Sequence, residues 1–430
     1  MQEAFLHFLW KFQYFDTTAL HTADGRPVQV IRPGHHNTDA GPDFAQARLV
    51  VGGVEWAGSV EMHLRSSDWA QHRHQHDPAY ENVVLHVVWE HNHLVRHPDG
   101  TEIPVVSLQP HADLSLLHQY KALLANLNPV PCAAQFGQVR DIHKRQALDN
   151  ALMGRLQQKA REIGELYERN QRNWEETAYQ VLARSFGFKI NAEPMLALAQ
   201  SLPLKILQKH ADSLVQTEAL LLGQAGLLPA DDTDSHAAAL RREYRFLRHK
   251  YNLPEPLSAA QWKFLRLRPA NFPTLRLAQL AALLHRRQRL FSSLLAVQNP
   301  ADMARFADVP PSEYWQNHYH FGKTSAHSGR LGAESQHNLL INSMVPLLAA
   351  YAEIAGEQFR TEQAVALLEA LPAEDNKIVR MWTDEVGLTV KTAFDAQAAI
   401  GLYNHGCSLR QCLSCPVGVA LLRPAAKPEL

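Results

Sequence analysis

Cysteine is scarce in this chain, with four residues in 430, which excludes a small domain held together by disulfides. There is no basic N-terminal segment followed by an apolar one, so no secretory signal peptide is expected. There is also no run of about 18 uncharged apolar residues, so no membrane span is expected. An excess of one charge is missing as well, because 42 basic residues balance 43 acidic ones. We therefore expect a cytoplasmic protein on which any nucleic-acid surface is a local basic patch.

Histidine is abundant, with 24 residues in the chain, many of them in the first third. The densest group of polar residues able to do chemistry lies between His35 and Trp89. Asp43 follows a Gly-Pro turn, and Glu61 and His63 lie two residues apart in a predicted strand. Because side chains alternate along a strand, Glu61 and His63 leave the same face. A carboxylate before one strand, and a carboxylate with a base on the next, suit a divalent metal that activates water.

The pattern of apolar residues predicts an α+β protein with a mixed-sheet domain over residues 1–125 and a mostly helical domain over 126–430. The first domain reads in the order α-β-β-β-α-β. Its predicted elements are a helix over 3–15, strands over 28–31, 46–51 and 54–64, a short helix over 67–76, and strands over 83–89 and 103–108.

This order, with Asp43 entering the second strand and Glu61-Met62-His63 in the third, resembles the core of the PD-(D/E)XK nuclease-like superfamily. The resemblance implies that Asp43 and Glu61 bind Mg²⁺ or Mn²⁺, with the Met62 carbonyl as a third ligand. It implies metal-dependent hydrolysis of phosphodiesters in DNA or RNA. His63 replaces the lysine of that pattern, and a histidine can accept a proton from water near neutral pH. The same replacement is compatible with a non-catalytic factor that binds nucleic acid or protein through a degenerate site.

Three stretches carry a second resemblance, which extends over nearly the whole chain. They are GPDFAQARLVVGGVEWAGSVEMHLRSSDW, HDPAYENVVLHVVWEH and RLRPANFPTLRLAQLA. Together they resemble a bacterial family, domain of unknown function 2851, that is common in Bacteroidetes. This resemblance implies a family but no activity.

A second metal constellation competes for the same region. Asp68, His72 and His76 are spaced four apart, so a helix would place them on one face, with His74 close by. Two histidines at this spacing are a known zinc geometry, which predicts a zinc or manganese hydrolase acting on a substrate other than nucleic acid. The alternative is a solvated, histidine-rich helix face.

Other residues are candidates for binding a substrate. In the nuclease interpretation, Ser67, Asp68 and His72 would contact the scissile phosphate, and Asn37 would line the cleft. Structural alternatives exist for the central residues too: Asp43 as a turn former, Glu61 as a solvent-facing strand residue and His63 as an ordinary sheet histidine.

The helical region holds the best candidate for a basic surface. The arginines Arg266, Arg268 and Arg276 flank a proline-fixed turn before a predicted helix over 274–297. Arginine suits phosphate through bidentate hydrogen bonds. The alternative is a helical bundle with solvated charged faces.

The C-terminal region contains a cysteine cluster, Cys407, Cys412 and Cys415, in a C-x4-C-x2-C arrangement. With His405 as fourth ligand it would bind structural Zn²⁺. With the distant Cys132 it would offer four thiolates, which also suit an iron–sulfur cluster. The alternative is a set of reduced, partly buried cysteines.

Overall fold

A computed structural model describes residues 2–37, 39–231, 234–325 and 329–423. Within these ranges the chain forms two compact units. The first contains residues 2–148, 384–387 and 402–423, and the second contains residues 149–383 and 388–401. The sequence placed everything after residue 125 in one helical domain, whereas residues 126–148 and the C-terminal segment belong to the first unit.

The first unit is built on a mixed sheet of six strands. The strands are β1 Val28–Arg32, β2 His35–His36, β3 Phe44–Val51, β4 Val54–Arg65, β5 Val83–Glu90 and β6 Val105–Ser107. Their order is β1-β3-β4-β5-β6, with β2 also paired to β3. β4–β5 and β5–β6 are parallel, and the other pairs are antiparallel. The predicted α+β class, with a mixed sheet followed by a largely helical region, is confirmed.

Twenty α-helices are present among the described residues. They are α1 Glu3–Phe12, α2 Asp68–Gln71, α3 Leu114–Ala125, α4 Ala133–Phe136, α5 Asp141–Arg169, α6 Trp174–Phe186, α7 Ala192–Ser201, α8 Leu204–Gln208, α9 Leu214–Gln224, α10 Ser235–Tyr251, α11 Pro273–Arg286, α12 Leu290–Leu295, α13 Pro300–Ala307, α14 Glu313–Asn317, α15 Ala333–Leu339, α16 Val345–Ala355, α17 Phe359–Ala370, α18 Lys377–Arg380, α19 Ala393–Leu402 and α20 Pro416–Leu421. A short hairpin of β7 His318–His320 and β8 Lys323–Thr324 lies in the second unit.

The period of two along β4 divides its side chains between the two faces of the sheet. Val60 and Met62 join the main core, which also contains aromatic residues of α1 and apolar residues of α3. The opposite face carries Glu61 and His63, and a second apolar cluster with Trp69 covers that side of the sheet. The hairpin before β4 turns at Gly52 and Gly53, whose φ angles of 58° and 83° favour glycine.

The predicted helix over 67–76 is wrong. α2 ends at Gln71, and Arg73 adopts the left-handed conformation with φ 62°. A short 3₁₀ turn, His74–His76, follows. Because the chain changes direction at Arg73, Asp68, His72 and His76 do not share a helix face.

The predicted helix over 274–297 is also interrupted. The chain leaves helical geometry at Arg287, where φ is −114° and ψ is 75°, and resumes as α12. Every residue of α11 from Pro273 to Leu284 is buried, including Arg276. This helix is therefore a core element of the second unit and not a solvated basic face.

One helical stretch among the described residues, Ala333–Ala355, has the length and hydropathy of a membrane span. Within the structure 67% of its most apolar window is buried, as in the core helix of a globular unit.

Candidate metal centre

Glu61 and His63 occupy the face of β4 that carries the second apolar cluster. Both are almost inaccessible, with exposed fractions of 4% and 2%. The Nε2 atom of His63 lies 3.6 Å from the Glu61 Oε1 atom, so the predicted common face of the strand places the two groups in contact.

Two further imidazoles reach this point from the turn after α2. The ring nitrogens of His63, His72 and His74 that face the centre all lie within 4.8 Å of one another. The Nε2 atom of His63 is 3.0 Å from Nδ1 of His72, and Nε2 of His74 is 3.3 Å from Oε1 of Glu61. We call His63, His72, His74 and Glu61 the four-residue centre.

The spacing of the three imidazoles in the four-residue centre suits a single ion. Zinc binds imidazole nitrogen at about 2.0–2.1 Å, so two ligand atoms of a tetrahedral site lie about 3.4 Å apart. The three closest separations, 3.0, 3.3 and 3.6 Å, bracket that value. An imidazole-rich set of this kind favours zinc and other first-row transition metals over Mg²⁺, which prefers oxygen ligands.

Neighbouring rings fix the orientation of two of these imidazoles. The Nδ1 atom of His63 lies 2.8 Å from Nε2 of His86 on β5, which leaves Nε2 of His63 for the centre. His74 stacks on Tyr80 with ring centroids 3.9 Å apart and meets the edge of Trp69 at 5.4 Å. Outer contacts of this kind set the tautomer and direction of a metal-binding histidine.

Asp43 lies beside the four-residue centre. Its backbone N–H donates to Glu61 Oε2 at 3.1 Å, and its own Oδ2 accepts the Met62 N–H at 3.0 Å. The same Oδ2 is 3.3 Å from Nε2 of His7, on α1. Asp43 therefore holds the start of β3 against β4 and orients Glu61. Like Glu61, it is absent from the group of residues whose ligand atoms all lie within 4.8 Å of one another.

Burial sets the protonation of the centre. Burial, and after it the Asp43 carboxylate, raises the pKa of Glu61 to about 9. Burial, and after it the charges of His72 and His74, lowers the pKa of His63 to about 3. At neutral pH, without a cation, His63 is neutral and Glu61 is protonated. A divalent cation would favour the ionised Glu61.

The remaining predicted residues of this region lie outside the centre. His76 is exposed. Asp68 accepts the Arg65 N–H, and the Ser67 N–H donates to the Asn92 side chain. Asn37 donates to the Ala40 and Pro42 carbonyls of its own loop. The side chains of Asp68, Asn92 and Asn37 stabilise turns around the site.

The predicted basic surface is divided. Arg266 and Arg268 are exposed in the second unit. Arg276 is 3% exposed, and its guanidinium donates to the side chains of Gln279, Asn271 and Ser335. Arg276 is therefore not part of an exposed clamp.

Two histidines near the centre escaped prediction. His86 lies in a strand that reads as an apolar run, and nothing in the local pattern separates it from a core residue. His7 lies in a helix rich in aromatics, where the aromatic pattern predicts packing only. Their closeness to the centre depends on the tertiary packing of the sheet and α1, which the local sequence pattern does not encode.

A family model described as "Protein of unknown function (DUF2851)" matches residues 3–377. No curated protein matches the chain. No solved structure matches it either.

Proposed function

The chain belongs to this family, DUF2851, and we propose from the geometry of the first unit that it is a divalent-metal-dependent hydrolase of phosphodiesters. The observation that carries the proposal is the convergence of His63, His72 and His74 beside the Glu61 carboxylate. Three imidazoles with a water in the fourth position form a known catalytic zinc site. Manganese would be an alternative ion.

The proposal gives the residues roles that differ from those implied by the nuclease-like resemblance. His63 is a metal ligand and not a general base, because its Nε2 faces His72 and Glu61 while its Nδ1 faces His86. Glu61 is the base: its Oε1 lies next to two of the imidazoles and would accept a proton from a metal-bound water. Asp43 positions Glu61 through the backbone contact described above.

A cavity of about 270 Å³ in the first unit supports an anionic substrate. Its lining includes the basic residues His7, Lys11, His36 and Arg410, and no acidic residue is among the described residues that line it. His7 connects this cavity to the centre through its contact with Asp43. Phosphate oxygens are favoured next to such a set of donors. The phosphodiester backbone of DNA or RNA, predicted from the sequence, is compatible with this cavity.

The test measures metal and hydrolysis together. Purified protein would be analysed for bound metal, then assayed with bis-p-nitrophenyl phosphate, single-stranded DNA and single-stranded RNA, each with added Zn²⁺, Mn²⁺ or Mg²⁺. We expect His72→Ala to lower metal affinity and hydrolysis by more than about 100-fold, since loss of even outer partners of a metal ligand costs about 10- to 100-fold. His76→Ala, in the exposed neighbouring position, is the matched control and should retain both.

Three outcomes would contradict the proposal. Equal metal binding by wild type and His72→Ala would exclude the three imidazoles as the metal site. Mg²⁺ binding lost in Asp43→Ala but kept in His72→Ala would favour two-carboxylate coordination. Hydrolysis of carboxylic esters or amides without hydrolysis of phosphodiesters would support the metal centre but contradict the proposed substrate.

A further inference from the structure

The four cysteines of the chain, Cys132, Cys407, Cys412 and Cys415, all lie in the first unit, although the whole second unit lies between Cys132 and Cys407 in the sequence. Cys132 directly precedes α4, and the other three lie between α19 and α20. None of them forms a disulfide. We call these residues the four-cysteine cluster.

The folding of the first unit brings the four-cysteine cluster together. Burial raises the pKa of Cys132, and the nearby thiols of Cys415 and Cys412 raise it further. Burial also raises the pKa of Cys407, and the other three cysteines add to that rise. Cys407 and Cys412 are buried, and the other two are half-buried. Four thiols from two distant segments therefore share one poorly solvated region.

Arg410 fastens the two segments to each other. Its guanidinium donates to the backbone carbonyls of Asn128 and Asn126, at 2.9 and 2.8 Å. The loop before Cys132 is thus held against the turn that carries Cys407 and Cys412. Leu413 and Val419 pack against the same core as Cys132, so the approach of the segments does not depend on the thiols alone.

We propose that Cys132, Cys407, Cys412 and Cys415 are the four thiolate ligands of an iron–sulfur cluster. His405, the fourth ligand of the alternative set, is exposed. Cys132 is the fourth ligand because it interacts with the cysteines of the C-terminal segment across most of the chain's length.

The spacing of the sulfurs favours a cluster over a single ion. Around one tetrahedral zinc with Zn–S bonds of about 2.3 Å, the sulfurs lie about 3.8 Å apart. Among the described residues, no three of the four cysteine sulfurs belong to a group within 4.8 Å of one another, whereas the histidine centre meets that limit. An iron–sulfur cluster places its ligating sulfurs farther apart, because several iron and sulfide ions lie between them.

Cys415 directly precedes α20, so the first backbone N–H groups of that helix lie near its side chain. Burial raises the pKa of Cys415, and the backbone N–H groups of Gly418 and Val417 offset part of that rise. N–H groups near a ligating sulfur stabilise the thiolate and tune the potential of a bound cluster. This inference does not depend on the proposed hydrolase, since it concerns different residues and a different group of metals.

The experiment begins with anaerobic purification of the full chain, followed by iron, zinc and acid-labile sulfide analysis and visible absorption spectroscopy. We expect stoichiometric iron and sulfide and a brown protein, with at least a tenfold loss of both in Cys132→Ser. His405→Ala and Ser414→Ala, exposed positions in the same segment, are the controls and should retain the cluster. Circular dichroism would establish that each variant is folded.

A second measurement uses only wild-type protein, so its result does not depend on whether a variant folds. Native wild-type protein would be alkylated with iodoacetamide before and after removal of metal by a chelator, and the modified cysteines identified by mass spectrometry. Protection of all four cysteines that is lost on chelation supports the cluster. Stoichiometric zinc without sulfide would overturn it in favour of a single ion. Absence of metal, or loss of metal in His405→Ala but not in Cys132→Ser, would overturn the ligand set.

Discussion

At the scale of single residues, His63 takes its role from its neighbours. One ring nitrogen faces His86 and the other faces His72, so no nitrogen is left to act as a free base. Its position two residues after Glu61 was predictable from strand periodicity alone. Its partners were not, because they come from β5 and from the turn after α2, and no local pattern encodes that meeting.

The raised pKa of Glu61 predicts how many protons are released when the metal binds. Its pKa is raised to about 9, so at pH 7 it carries a proton when no metal is bound. His63 has a pKa lowered to about 3 and is already neutral at that pH. Binding of Zn²⁺ at pH 7 should therefore release about one proton from Glu61. Calorimetric titrations in two buffers of different ionisation enthalpy measure this number.

Glu61→Gln is the variant to compare. It should release about one proton fewer than wild type at pH 7, since glutamine has no proton to lose in this range. Equal proton release by the two proteins would show that Glu61 is already ionised before the metal binds.

The same pKa predicts how the metal-free protein depends on pH. A raised pKa in the folded state stabilises folding below the unfolded value of 4.5, and this contribution is lost as pH rises through about 9. Chemical denaturation of metal-free protein should therefore give a lower free energy of unfolding at pH 9 than at pH 5. Glu61→Gln should weaken that decline, and an unchanged decline in the variant would contradict the assignment to Glu61.

At the scale of elements, the left-handed turn at Arg73 decides where His74 points. The i, i+4 spacing of the histidines predicts a continuous helix, but the chain turns and His74 stacks on Tyr80 instead. Burial of that ring against Tyr80 and Trp69 outweighs the local preference for another helical turn. Strands β1, β3, β4, β5 and β6, whose alternation and glycine turn are local signals, agree with the prediction to within a few residues, whereas the short strands β2, β7 and β8 were not predicted.

Arg73 offers a test of this element. Its φ of 62° is strained for a β-branched residue but not for glycine. Arg73→Val should displace His74 and lower zinc affinity by about tenfold or more. Arg73→Gly, which removes the same charge, should bind zinc like wild type. Similar losses in both variants would assign the effect to the arginine side chain and not to the turn.

At the scale of the whole molecule, the first unit is discontinuous in sequence. Leu422 is fully buried in the core that contains α1 and the sheet, although it follows the entire second unit. Composition alone predicts that this segment belongs to the helical domain, because helix α20 looks locally like the other helices. Only the long-range packing of Leu422 reveals its true unit.

The burial of Leu422 predicts how much the C-terminal segment contributes to the free energy of unfolding. Leu422→Ala should lower the free energy of unfolding by about 2–5 kcal/mol, because it leaves a cavity in a packed core. Leu409, in the same segment, is 60% exposed, and Leu409→Ala should change stability by no more than about 0.5 kcal/mol. Urea denaturation measures both. Equal stabilities would mean that the C-terminal segment is dispensable to the sheet.

The discontinuity also sets an order of events during synthesis on the ribosome. Residues 2–148 emerge first, but the segment from residue 402 follows only after roughly 250 more residues. At a translation rate of about 5–20 residues per second, the last buried side chains of the first unit are synthesised some 10 to 50 seconds after residue 148. Throughout that interval the core of the first unit lacks Leu422 and the rest of its C-terminal segment.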